Sequence, residues 1–114
     1  MNLIIRLLIT AVVAFLLTKI LPGVQFDSFG TAIIFAIVLA LLNLFVKPIL
    51  SLLGLPLTII TLGLFALVIN ALIILLADYF IDSMVVDGFW WALIFSIALS
   101  LITSLANSMF SDRD

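Results

Sequence analysis

The chain has 114 residues, of which 68% are hydrophobic and only 9% charged, with a mean hydropathy of +1.60. A soluble domain is about half apolar and about a quarter charged, because its surface must face water, so this composition excludes a soluble globule and makes lipid the solvent. A net charge of −2 without a basic run excludes nucleic acid as a partner, and the lack of cysteine and histidine removes disulfides, thiolate or imidazole metal sites, and Cys or His catalysis.

A membrane-spanning helix needs roughly 20 mainly apolar residues. Residues 3–21, 29–46, 57–80 and 89–110 meet that need, which predicts an all-α integral membrane protein, a bundle of four transmembrane helices forming a single domain over 1–114. In the first span Arg6 and Lys19 lie near the two ends, where long side chains snorkel to the headgroups. Arg6 ahead of the apolar run 7–17 resembles a signal peptide, but Lys19 follows the run and no small-x-small cleavage site precedes Pro22-Gly23, so it reads as a retained span.

Pro22-Gly23 ends this span, since proline cannot donate to the helical ladder and glycine accepts turn geometry. Between the second and third spans, Pro48 either kinks a continuing helix or opens a new one, and Gly54 with Pro56 ends it. A short helical stretch at the membrane face is expected there. Residues 82–88 separate the third span from the fourth.

The chain also matches itself at an offset of 60 residues. Asp27 and Phe29 align with Asp87 and Phe89, and Ala32, Ile34, Phe35, Ile37, Leu39 and Leu41 with their identical counterparts at 92, 94, 95, 97, 99 and 101. This predicts two repeated hairpins about a pseudo-twofold axis along the membrane normal. Four spans put the N-terminus, the 47–56 connection and the C-terminus on one side, with Arg6, Lys47 and Arg113 against Lys19 on the other. By the positive-inside rule the topology is N-in, C-in.

The fourth span carries a small residue at every fourth position, Ala92, Ser96, Ser100, Ser104 and Ser108, matched in the second by Ala32, Ala36 and Ala40. Such spacing lets helix backbones approach closely in lipid. A polar path along the serines, helped by Thr103 and Asn107, would use the same residues. Asn43 and Asn70 are strongly polar side chains inside apolar spans, suited to gluing helices or to meeting a substrate or ion. Lys19 and Asp78 fall near one membrane face as a candidate ion pair, and Tyr79, Trp90 and Trp91 flank that face as an aromatic belt would. The aspartates at loop and helix ends lack the fixed spacing and apolar pocket of catalytic carboxylates, so no enzyme and no cofactor is expected.

The segment Asn43-Leu-Phe-Val-Lys47-Pro48-Ile-Leu, then Leu55-Pro56-Leu-Thr58-Ile-Ile-Thr61-Leu-Gly63-Leu-Phe65, then Asn70, resembles the mycobacterial four-transmembrane phage holin family, superfamily IV. The resemblance covers nearly the whole chain. It implies four spans in a bacterial cytoplasmic membrane and some tie to envelope stress, and it transfers no catalytic residue. Asn43, Lys47, Pro48, Pro56, Thr58, Thr61, Gly63 and Asn70 transfer only as a motif cluster. The expected function is helix–helix association, giving a homo-oligomer or an accessory subunit of a larger membrane complex. A holin-like pore and a lipid-binding protein are the alternatives.

Overall fold

The computed structural model describes residues 2–111; Arg113 lies outside them. Helix α1 (Leu3–Ile20) is opened by Asn2, whose Oδ1 accepts the Ile4 N–H at 2.7 Å and satisfies one of the four free amides of the first turn. Pro22-Gly23 then turns the chain into a three-residue strand, β1 (Val24–Phe26), before α2 (Phe29–Phe45). Helices α3 (Lys47–Leu53) and α4 (Leu55–Ile60) form the connection, followed by α5 (Leu64–Phe80), strand β2 (Met84–Val86) and α6 (Phe89–Ser111).

The two strands are absent from the helical reading. They begin 60 positions apart and pair antiparallel, Val24 opposite Val86, Gln25 opposite Val85 and Phe26 opposite Met84. Two further bonds close the ribbon: Asp27 N–H to the Ser83 carbonyl at 3.0 Å, and Asp87 N–H to the Gly23 carbonyl at 2.8 Å. The ribbon thus ties the loop after α1 to the loop after α5. Helices α1 and α2 pack together, as do α5 and α6, while α1 meets α6 and α2 meets α5 across the middle. That leaves α1 and α5 on one diagonal, α2 and α6 on the other.

The core is concentrated toward the ribbon. Phe35 and Phe95, both fully buried, meet edge to face at the centre with ring centroids 5.7 Å apart. Phe26 of β1 covers the pair at 5.5 and 6.4 Å. Aromatic contacts of this kind add about 0.5–1.5 kcal/mol each beyond the area they bury.

The central connection differs from expectation. Pro48 bends the chain by 43° between α2 and α3. Gly54 ends α3, but Pro56 opens α4 rather than ending a helix, because a proline in the first turn gives up an amide that has no partner anyway. The expected third span over 57–80 is broken at 61–63, where the Gly63 amide reaches the Thr58 carbonyl (2.7 Å) and the Leu62 amide the Ile59 carbonyl (3.2 Å). This pair of bonds is a Schellman cap, and it places Leu62 in the left-handed region at φ 58°. Two helices, α1 and α6, are long and apolar enough to cross a membrane alone, and α2 with α3 makes a third as a bent pair. Helix α5 has 17 residues, about 26 Å at 1.5 Å per residue, against a hydrocarbon core about 30 Å thick.

Candidate functional site

At the end away from the ribbon, the flank between α1 and α6 opens. No residue of α1 before Ala11 and none of α6 after Leu99 is fully buried among those described. The result is a groove of about 560 Å³ between the first half of α1 and the later halves of α2 and α6. Its polar side chains are Arg6, Thr10, Asn43, Ser100, Thr103 and Asn107, set in a wall of leucines. The Thr10 hydroxyl donates to the Arg6 carbonyl (3.0 Å) and the Thr103 hydroxyl to the Leu99 carbonyl (2.6 Å). Both hydroxyl protons are therefore used within their own helices, and only the oxygen lone pairs remain for anything in the groove. Asn107 Oδ1 is buried with no hydrogen-bond partner.

A smaller cavity of about 50 Å³ adjoins this groove through Leu39, Asn43, Leu99 and Ser100, and brings in Lys47, Asn70 and Ser96. The two cavities are lined by residues 60 positions apart: Thr10 and Asn70, Asn43 and Thr103, Lys47 and Asn107, Ala36 and Ser96. They differ in size because α3 folds over one of them and packs against α5. There Gly54 admits Phe65 so closely that a Cβ at residue 54 would lie 2.6 Å from the ring. On the other side α6 runs on as one helix to Ser111.

The motif cluster divides accordingly. Asn43, Lys47 and Asn70 line the cavities, whereas Pro48, Pro56, Thr58, Thr61 and Gly63 shape the connection. The Thr58 hydroxyl donates to the Gly54 carbonyl (3.0 Å), and Thr61 Oγ1 accepts the Phe65 N–H (3.0 Å) across the turn.

The small-residue stripe does not pack along its whole length. Ala32, Ala36, Ala92 and Ser96 are buried and Ala40 is half-buried, but Ser100, Ser104 and Ser108 are exposed because the α1–α6 flank has opened. The Lys19–Asp78 pair is not formed, since it would span the α1–α5 diagonal. Lys19 Nζ instead sits 4.7 Å from the Phe15 ring centroid, a cation–π contact, and Asp78 lies beside the Val86 backbone amide. Trp90 and Tyr79 are exposed as a belt requires, but Trp91 turns inward over Gly23. Thr10 was not evident as a site residue because a threonine amid leucines carries no signal of its own.

The only bases at the open end among the described residues are Arg6 and Lys47, and no carboxylate lines either cavity. Among those residues no cluster of acidic side chains could hold a metal ion.

The chain belongs to the family described as mycobacterial 4 TMS phage holin, superfamily IV, which matches residues 1–105. It is 41% identical over 110 residues to an uncharacterised protein of Streptomyces coelicolor, an alignment covering 91% of this chain and 88% of that protein. It is also 36% identical over 98 residues to the uncharacterised membrane protein YvlD of Bacillus subtilis, covering 85% and 82%. No solved structure matches the chain. It is a membrane protein of a holin-like family.

Proposed function

We propose that this is a four-span protein of the bacterial cytoplasmic membrane, N-in and C-in, acting by lateral association in the bilayer. Its partner is a second copy of itself or a larger membrane complex that it serves as an accessory subunit in envelope maintenance. Four crossings are supported by the ribbon: α1 and α5 run into it, α2 and α6 run out of it, so all four long helices share one end. Two copies of one hairpin about an axis along the membrane normal are supported by the exchange symmetry of its bonds. Shifting one partner forward by 60 and the other back turns Asp27–Ser83 into Asp87–Gly23.

The observation that carries association over conduction is the filled centre. Phe35, Phe95 and Phe26 occupy the place a pore would need, and a conducting path requires polar lining there. Meanwhile α3 and α4 have no buried residue, and Leu52, Leu53 and Ile60 are each more than 70% exposed, leaving a broad apolar surface for lipid or a neighbouring helix. Purification in mild detergent with mass identification tests this: a defined homo-oligomer or a reproducible protein partner is expected. A monodisperse monomer without partners, together with rapid depolarisation on induction, would reverse the conclusion in favour of a pore.

A further inference from the structure

We propose that the groove between α1, α2 and α6 holds one anionic phospholipid, its phosphate against Arg6 and its chains along the leucine wall. This goes beyond association and does not depend on it.

Charge comes first. Arg6 lines the groove, Lys47 lines the adjoining cavity, and among the described residues no carboxylate faces either. Asp27, Asp82 and Asp87 lie beside the ribbon, and Asp78 lies in the last turn of α5 before it, so the described acids are at the opposite end. A fixed positive charge at the edge of an apolar layer is costly unless an anion meets it, and the membrane supplies phosphate at that depth.

Hydrogen bonding narrows the headgroup. Thr10 and Thr103 have spent their protons, and Asn107 Oδ1 has no donor at all. The groove therefore offers a guanidinium for an anion beside hydroxyl oxygens that can still accept a hydrogen bond. A phosphate bearing a hydroxylated headgroup, as in phosphatidylglycerol, satisfies both demands. A choline headgroup has no N–H or O–H to give.

Shape fixes the source as lipid rather than a free phosphate ester. The groove's rim residues Leu3 and Leu44 are 63% and 64% exposed, so the site is continuous with the surface that faces the acyl chains. Its volume of about 560 Å³ lies within the roughly 300–1,000 Å³ of ordinary ligand sites, enough for a headgroup and the upper part of its chains.

The test is native mass spectrometry of the detergent-purified protein titrated with phosphatidylglycerol, with phosphatidylcholine of the same acyl chains, or with glycerol 3-phosphate. Phosphatidylglycerol should be retained at least ten-fold more strongly than the other two. Arg6→Gln should lower that retention about ten-fold, and Lys19→Gln, at the ribbon end, should leave it unchanged. Asn107→Leu guards against misfolding, because it removes an oxygen that has no partner and so keeps the fold, while its bulk narrows the groove that Asn107 lines and weakens binding. Equal retention of phosphatidylcholine, equal binding of glycerol 3-phosphate, or undiminished phosphatidylglycerol binding by folded Asn107→Leu would each overturn the proposal.

Discussion

The Trp91 indole lies over Gly23 so closely that a Cβ at residue 23 could not be placed without moving the ring. Sixty positions away, the same two places are filled by Ser83 and Thr31, whose hydroxyls hydrogen-bond at 2.8 Å. One corner of the ribbon is thus joined by shape and the other by a polar contact. Gly23→Ala should destabilise the protein by about 1–3 kcal/mol, the range for forcing extra volume into a packed site. Combining it with Trp91→Leu should recover much of the loss, whereas Thr31→Val should cost about 1 kcal/mol. Thermal unfolding in detergent measures all three, and a neutral Gly23→Ala would contradict the contact.

Phe35→Ala and Phe95→Ala should each cost about 3–5 kcal/mol, the usual range for emptying a core aromatic site. Being in contact, the two should not add, and a double-mutant cycle should show coupling above about 0.5 kcal/mol. Strict additivity would mean the rings do not share one cavity.

The topology reading has its own measurement. Cysteine at Ser28, beside the ribbon, should react with an impermeant thiol reagent in intact cells. Cysteine at Ser51, in α3, should react only after permeabilisation. The reverse pattern would invert the orientation, and labelling of both from outside would indicate two orientations in one membrane.

Along α6 the response to bulk should change within two turns. Ser96 is buried, so Ser96→Leu should destabilise by about 1–3 kcal/mol. Ser104 is exposed, and Ser104→Leu should be within about 0.5 kcal/mol of the parent. Equal losses at both positions would place a packed neighbour over Ser104.

Leu62 sits at a position where glycine is preferred, with φ 58° and 94% of its surface exposed. Leu62→Gly should leave the fold intact and not lower its stability, while Gly63→Ala, at φ 94°, should cost about 1 kcal/mol. If Leu62→Gly weakens association in membranes while its melting temperature holds, the side chain serves an interface rather than the turn.

Much of this was legible in the sequence because lipid imposes a simple rule: long apolar runs become helices, and Pro-Gly or Asp-Gly breaks end them. The match between the two halves of the chain was visible for a similar reason, since Phe35 and Phe95 recur with the same neighbours. The ribbon was not, because Val24-Gln25-Phe26 and Met84-Val85-Val86 are each too short to register as strands and acquire bonds only by meeting each other. The break at 61–63 was hidden by the apolar residues on both sides, although Thr61-Leu62-Gly63 held the glycine that such a turn needs. The groove escaped because Arg6 and Thr10 on α1 lie far from Asn107 in the chain, and only the fold brings α1 and α6 to line one space.

The ribbon pairs residues whose numbers differ by about 60 and does so identically in both directions. During synthesis the first hairpin must therefore wait, with the edge of β1 uncovered, until α5 and β2 have left the ribosome. An edge in that state accepts any strand of matching register, including β2 from a neighbouring chain. The two halves should consequently behave as interchangeable parts. Residues 1–54 and 55–114 expressed as separate polypeptides should reassemble in one membrane, and crowding of full-length chains during insertion should yield dimers that have traded hairpins.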